Sequence, residues 1–340
     1  MPTVRQIAEQ AGVSISTVSL ALNNKKGVSD ATRRRVLDVA AELRREEKIH
    51  HGADDRTRSV DRPLLILVLH PAKVDDDVFS QSLRGLWAAV AGANVQLQLT
   101  VNEPDFGPSD VNRLLFSDPD LLPDGVLALG ARKEEPLLDL ALAKGIPCVL
   151  VQRECDDPSI SAVGVDETKT AFEATEHLIE LGHRAIAFVG GRLSYAYTDG
   201  RLNGYRQAMA AHGIEVPPRW ISLGWDRTSM ARVLDQSPEI TGVVFIDDGF
   251  ALDFGLPVLQ EAGLRVPDNV SVVSFDDIRA VREYNPPITS AAYPFYEISF
   301  RALKVLEEQI RDPLLSSQHI RFNATLKERT STAPPAVAHD

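Results

Sequence analysis

The chain has little cysteine and no long apolar run. Cys148 and Cys155 are the two cysteines among 340 residues, with no CxxC and no Cys/His grouping at metal-ligand spacing. Neither a disulfide framework nor a zinc site is therefore indicated, and a reducing cytoplasm is expected. No hydrophobic stretch approaches the roughly 18 residues that span a bilayer, and the chain opens MPTVRQIAEQ rather than with a basic segment followed by a greasy one. Neither membrane insertion nor export is expected. Also missing are three enzyme and cofactor fingerprints: there is no GxSxG elbow, no GxxxxGK[ST] phosphate loop and no GxGxxG dinucleotide turn. Enzymatic chemistry is disfavoured, and no cofactor or metal is indicated.

What is present is enough apolar material, 44% of the residues, for two or three packed units. The net charge of -12 argues at first against a polyanionic partner, but charge is segregated along the chain. Residues 1–35 carry six basic side chains (Arg5, Lys25, Lys26, Arg33, Arg34, Arg35) against two acidic ones (Glu9, Asp30), so this stretch holds +4 and the rest -16. A basic head on an acidic body suits a phosphate-binding module with a separate solubilising domain; an uneven charged surface without that function gives the same count.

The head reads as three short helices. Thr3 and Gln6 have capping-box spacing, and Ile7, Ala8 and Ala11 give one apolar face ending at Gly12. Ser14 is placed to cap a second helix through Leu22, with Val18, Ala21 and Leu22 inward, Ser16, Ser19, Leu20 and Asn23 outward, and Ile15 at the border. After the Lys25, Lys26, Gly27 turn, Ser29 is placed to cap a third helix in which Val36, Val39, Ala40 and Leu43 recur at helical spacing. Two short helices joined by a turn and braced by a third make helix-turn-helix geometry. Hydroxyls and N-H groups at the start of helix two suit phosphates, and Arg33 to Arg35 with the Lys pair supply long-range attraction. The same serines also serve simply as caps, and the Arg run also serves as a solvated face.

The stretch GVSISTVSLALNNKKGVSDATRRRV, Gly12 to Val36, resembles the N-terminal helix-turn-helix of the lactose/galactose repressor (LacI/GalR) family. The usual run there is AGVS, two variable residues, TVS, a variable residue, then VLN and VS-x-x-TR. The resemblance implies that Thr3, Ser14, Thr17, Ser19, Asn23 and Thr32 contact phosphate, while Ile15, Ser16 and Leu20 occupy base-reading positions. Many members place an Arg where Leu20 stands. An Arg grips a guanine edge bidentately, whereas Leu presses on a thymine methyl or similar apolar edge. A reader that depends on apolar contact and hydroxyls is expected.

The linker departs further. Relatives carry a GY-x-PN-x-x-AR-x-L hinge whose helix wedges a Leu into the minor groove, whereas this chain reads LRREEKIHHGADDRTRSVDRP from Leu43 to Pro63. Ungapped alignment sets Gly52 and Asp54 where the Arg and the wedging Leu belong, and a carboxylate near phosphates is repulsive. Ile49 or a shifted register is an alternative wedge, and a flexible polar linker is the plainer reading. A mild bend of the DNA at most is expected.

The acidic body alternates strands and helices. LLILVL, Leu64 to Leu69, is a continuous apolar run suited to a parallel strand covered on both faces, and an amphipathic stretch from Val78 to Ala93 follows. Strand candidates recur at Val95–Val101, Gly125–Leu129, Cys148–Gln152, Ala185–Val189, Gly242–Ile246 and Val270–Phe275. This predicts doubly wound parallel α/β architecture, and about ten such elements point to two lobes around a cleft. Ligands in such sheets sit at the carboxyl ends of strands. Gln152, Asp247 with Asp248, and Asp276 with Asp277 end apolar strands there, and Arg201 opens a helix after AFVGGRLSYAYTDG. Carboxylates and an Arg fork suit hydroxyl-rich small molecules; a metal site, an acid/base pair and helix capping by Asp248 and Asp277 are the alternatives.

The body also resembles the effector domain of the same family, which is similar to periplasmic sugar-binding proteins. VGVDETKTAFEATEHLIELGHRAIAFVGG, the R-x-x-GY of Arg201 to Tyr205, FIDDGFALD, GLRVPDNVSVVSFDD and LKERTST carry the likeness, from about residue 63 to Thr332. It implies effector contacts by Arg201, Asp247 and Asp276, with Gln152 at a position often held by Asp. Trp225 aligns with an aromatic that packs on a sugar face, although core or surface packing fits it equally, and His70 and Phe79 are further picks from the other lobe. Asp247 replaces a common Asn and adds a charge, favouring extra hydroxyls or a cationic group.

The implied domains are a helix-turn-helix head at 1–45, an atypical linker at 46–62 and an effector-binding, dimerising body at 63–340. Its lobes are placed at about 63–160 plus 292–325 and at 161–291 plus the C-terminal segment. The implied function is a homodimeric regulator, more often a repressor, of a pseudo-palindromic double-stranded DNA operator, controlled by a small molecule such as a sugar. A stand-alone sugar-binding protein and a sugar-modifying enzyme are the competing classes. The tail TAPPAVAHD shows no heptads, so a dimer rather than a tetramer is expected.

Overall fold

The computed structural model describes residues 4–22, 28–29, 32–37, 39–40, 63–71, 77–102, 122–130, 132–152 and 157–336. Thr3, Asn23, the Lys pair, the linker with its Ile49, Gly52 and Asp54, Cys155, and the side chains of Ser16, Ser19, Leu22 and His70 lie outside the described residues. The chain divides into a unit of Met1–Pro63 with Glu308–Ser316 and a body of Leu64–Glu307 with Ser317–Asp340.

In the N-terminal unit, Val4–Ala11 and Ile15–Leu22 are helices and residues 32–37 and 39–40 are helical. Ile7, Ala8 and Ala11, Val18 and Ala21, and Val36 and Ala40 form one buried cluster, with Val13, Val28 and Val39 packed against it. These faces follow from the apolar spacing, and the alanines keep the short helices close. Ser14 Oγ accepts from Thr17 N at 3.1 Å and Ser29 Oγ from Thr32 N at 3.2 Å. Each Ser-x-x-Thr run thus starts a helix by satisfying an amide that the helix itself leaves unpaired.

The strands of the body are, in chain order, β1 (Leu64–Pro71), β2 (Val95–Asn102), β3 (Gly125–Leu129), β4 (Cys148–Val151), β5 (Ser161–Val165), β6 (Ile186–Val189), β7 (Ile221–Ser222), β8 (Gly242–Phe245), β9 (Ser271–Asp276), β10 (Thr289–Ala292), β11 (His319–Phe322) and β12 (Thr325–Lys327). They form two six-stranded sheets, in the orders β11-β5-β4-β3-β1-β2 and β12-β10-β9-β8-β6-β7. Every pair is parallel except β10 with β12. The fold is a two-lobed, doubly wound α/β body.

Burial explains the central strands: every residue of GVLAL in β3 and CVLV in β4 is buried, which requires cover on both faces. The helix Pro136–Ala143 supplies part of it, setting Leu137, Leu138 and Ala141 into a cluster with Leu67, Leu69, Val126 and Leu150. In the second lobe the helices Glu167–Glu180 and Ala196–Ala211 pack closely at Gly204, where a Cβ would run into the Thr168 carbonyl oxygen and the Ala171 side chain. Beside it Tyr205 is fully buried and donates its hydroxyl to the Ile186 carbonyl at 2.8 Å.

The chain passes between the lobes three times: after Val165, after Ala292, and between Phe322 and Thr325. The first passage comes after Val165 rather than at 160 because β5 pairs with β4 and β11 in the first sheet.

Candidate functional site

The N-terminal unit presents a surface around its second helix. Ile15 is 55% exposed although it is a large apolar residue, Leu20 is half-buried, and Ser14 is exposed at the helix start. Ser14 and Thr17 hydroxyls lie 2.8 Å apart, and Ser29 and Thr32 repeat the arrangement at 2.8 Å. Capping and phosphate contact are compatible there, since a capped N-terminus still points amides outward. The Arg run splits in role. Arg33 Nη1 donates to the Ala21 carbonyl at 3.1 Å and to Leu20 at 3.4 Å, tying the third helical segment to the C-terminal end of the second, while Arg34 and Arg35 are exposed. Arg33 is thus partly a structural residue, a role its place in a basic run does not reveal.

In the body, Arg201, Asp247 and Asp276 lie together at the carboxyl ends of the second sheet, whereas Gln152, Phe79 and His70 belong to the first lobe. Arg201 is only 4% exposed. Its Nε donates to Glu167 Oε2 at 2.8 Å, its Nη1 to the Ile246 carbonyl at 2.6 Å, and its Nη2 to Asp276 Oδ1 at 3.3 Å. Tyr197, Phe275 and Tyr293 surround the guanidinium, with ring centres 5.0, 4.7 and 5.2 Å from its carbon. Burial opposes the charge, but Glu167, Tyr293 and Asp276 outweigh it and hold the Arg201 pKa well above its ordinary value. The Asp276 carboxyl is also raised well above its usual range, by burial first, with Arg201 opposing and Asp247 and Asp248 adding to the rise.

Asp247 and Asp248 divide their work differently from the sequence expectation. The capping alternative assigned to Asp248 falls on Asp247, whose Oδ1 accepts from Phe250 N at 2.7 Å. Asp248 is fully buried instead. Its carboxylate meets the hydroxyls of Ser274 and of Ser290, the latter at 2.9 Å, and accepts from Ile278 N at 2.9 Å. Burial lifts its pKa to about 7 against those hydrogen bonds. Nor does Asp277 cap a helix: the helix Arg279–Glu283 is preceded by Ile278, and the Asp277 carboxylate pairs with Arg329 at 2.7 Å instead.

Backbone strain marks the same ends. Among the described residues the non-glycine positions with positive φ are Gln152 (58°), Asp276 (99°) and Asp277 (53°). Such conformations cost about 1–3 kcal/mol each and persist where surroundings over-determine them. Gln152 ends β4 in the first lobe, where its Nε2 donates to buried Ser82 at 3.0 Å. Phe79 is buried on the same helix, Asp77–Val90, and His70 lies near the end of β1. Trp225 is half-buried, edge-on to Phe250 at 5.8 Å, with Arg192 5.1 Å above its ring. The lobes touch where Lys133 N donates to the Ser194 carbonyl at 2.7 Å and Arg279 N to Asp77 Oδ2 at 2.8 Å.

Glu167 and Tyr293 belong to the site and were missed by sequence reasoning. Tyr293 donates to the same Glu167 Oε2 that Arg201 holds, at 2.6 Å. DETKTAF shows an acid at the first turn of a helix, but only the tertiary fold buries it and brings it to Arg201.

Residues 3–44 match the family described as bacterial regulatory proteins, lacI family, and residues 175–332 match the periplasmic binding protein-like domain. The chain is 31% identical to the HTH-type transcriptional repressor CytR of Escherichia coli (strain K12), covering 97% of this chain and 96% of that one. It is 30% identical to the HTH-type transcriptional regulator CelR of Thermobifida fusca, covering 91% and 92%. A solved transcriptional regulator CelR–cellobiose complex superposes with a TM-score of 0.75 at 27% identity, covering 97% of this chain and 100% of that one.

Proposed function

Because the chain belongs to the lacI family of bacterial regulatory proteins, we propose that it is a cytoplasmic repressor whose operator binding is controlled by a sugar or sugar derivative. Members of this family are DNA-binding transcriptional regulators and not enzymes. Among the described residues no helix is long and apolar enough to cross a membrane. The observation that carries the proposal is the pairing, on one chain, of a hydroxyl-capped helix with a strained cluster centred on Arg201 at the carboxyl ends of parallel strands.

In this reading residues 1–45 are the DNA-binding head, 46–62 an atypical linker and 63–340 the effector-binding and dimerising body. Thr3, Ser14, Thr17, Ser19, Asn23 and Thr32 hold phosphates, and Ile15, Ser16 and Leu20 face base edges. The exposure of Ile15 supports apolar base contact. Arg201, Asp247 and Asp276 bind effector hydroxyls, Trp225 covers a sugar face, and His70, Phe79 and Gln152 serve from the first lobe. A homodimer sets two heads on a pseudo-palindromic operator, and effector binding changes their spacing through the angle between lobes. Without a wedging Leu at the aligned position, the linker bends DNA mildly at most.

Selection of bound sequences from random duplex DNA tests the reading, followed by release with candidate sugars, cellobiose first because the CelR relative was solved with it. A pseudo-palindrome is expected, and Leu20→Ala is expected to change the preferred bases within each half-site. Absence of any enriched sequence at low salt would overturn the DNA-binding reading, and an unchanged preference would overturn the role of Leu20.

A further inference from the structure

Arg201 is held by groups that do not belong to the cleft alone. Glu167 is the second residue of the first passage between the lobes, immediately after Asp166 and β5. Tyr293 is the first residue of the second passage, immediately after Ala292, which pairs with Asp276 across β9 and β10. Both are buried. One carboxylate oxygen, Glu167 Oε2, accepts from Arg201 Nε at 2.8 Å and from the Tyr293 hydroxyl at 2.6 Å. The Tyr293 ring also lies 5.2 Å from the guanidinium carbon. The helix that follows the first passage reaches the third, since Lys169 Nζ donates to Asn323 Oδ1 at 3.5 Å, and Asp166 pairs at 3.7 Å with Arg321 of β11, the strand that leads into it.

We propose that Glu167 and Tyr293 are positioning residues that fasten Arg201 to two of the three passages, so that displacement of the guanidinium in the cleft is passed directly to the hinge. The physical case is that a buried ion pair tolerates little loss of geometry. If a ligand draws Arg201 away, Glu167 loses its main counter-charge, and it regains pairing only by moving with the guanidinium. Because Glu167 starts a helix of the second lobe directly after a strand of the first, such movement changes the angle at which the chain leaves the first sheet. The inference rests on the cleft being the sensing site.

The test needs neither DNA nor effector, so its failure is distinguishable from failure of the regulator reading. In the full-length chain, with Cys155→Ser, spin labels at Ala143→Cys on the first lobe and Ala231→Cys on the second report the distance between lobes. Both positions are exposed and Cys148 is buried. Tyr293→Phe, which removes one hydroxyl and keeps the ring, is expected to shift the distance by a few ångströms or broaden its distribution. Glu167→Gln is expected to do the same and serves if Tyr293→Phe does not fold. Tyr205→Phe removes a comparable buried hydroxyl from the core of the second lobe and is expected to leave the distance unchanged. An unaltered distribution in both hinge variants, or an equal change in Tyr205→Phe, overturns the proposal.

Discussion

Asp248 is a carboxyl placed where its charge is unwelcome and its proton useful. Burial raises its pKa from 3.8 to about 7, and the Ser274 and Ser290 hydroxyls and the Ile278 amide only partly oppose that rise. The folded state therefore binds this proton more tightly than the unfolded chain. The stability it contributes is fully present below about pH 4 and is lost as pH rises through about 7. Replacing Asp248 with Asn is expected to flatten that decline, by on the order of a few kcal/mol between about pH 5 and about pH 8. Calorimetric melting of both proteins across that range checks it; parallel curves would show that the proton is not held there. Arg201, Asp247 and Asp276 were legible as candidates because Asp247 and Asp276 stand at predicted strand ends and Arg201 was expected to open a helix; it lies in the second turn of the helix Ala196–Ala211 instead. Glu167 and Tyr293 were not, because their partners lie 34 and 126 residues apart in the chain.

At the scale of elements, the two Ser-x-x-Thr starts are a natural comparison. Ser14 and Ser29 make nearly the same cap, so Ser14→Ala and Ser29→Ala are each expected to cost about 1 kcal/mol in thermal or urea unfolding. Only Ser14→Ala is expected to weaken operator binding as well, because Ser29 is not among the proposed phosphate contacts. Equal losses of DNA affinity would mean that Ser14 acts through the cap alone. Helix faces and most central strands were readable from their apolar runs: Gly125–Leu129 was expected and found, and β1, β4, β6, β8 and β9 differ from expectation only at their ends, whereas the central strands β5 and β10 were not expected. Of the edge strands, β2 was expected at Val95–Val101, and β7, β11 and β12 were not. HIRF in β11 alternates exposed and half-buried residues, β12 has three residues, β7 has two, and such short half-covered segments carry too few apolar positions to stand out.

At the scale of the whole molecule, charge segregation survives as the clearest reading of composition. The head holds +4 within a chain of net -12, and Arg34 and Arg35 remain exposed after Arg33 turns inward. The acidic body repels DNA at long range, so binding relies on the head and is expected to be steeply sensitive to salt. A fall of about three orders of magnitude in operator affinity is expected between about 50 and about 200 mM salt. Filter binding or anisotropy titrations check this; a flat salt response would place the energy in base contacts instead. Sedimentation at twice the chain mass is expected for the proposed dimer.

One consequence concerns the order in which the protein is made. The last two strands close opposite edges: β11 completes the first sheet and β12 the second. Neither lobe reaches its final form until residues beyond 319 have left the ribosome, whereas the N-terminal cluster of Ile7, Val18 and Val36 is assembled from residues synthesised at the very start. A nascent chain therefore holds a finished head long before it has a body able to respond, and the final residues act as the step that makes the molecule answerable to its ligand.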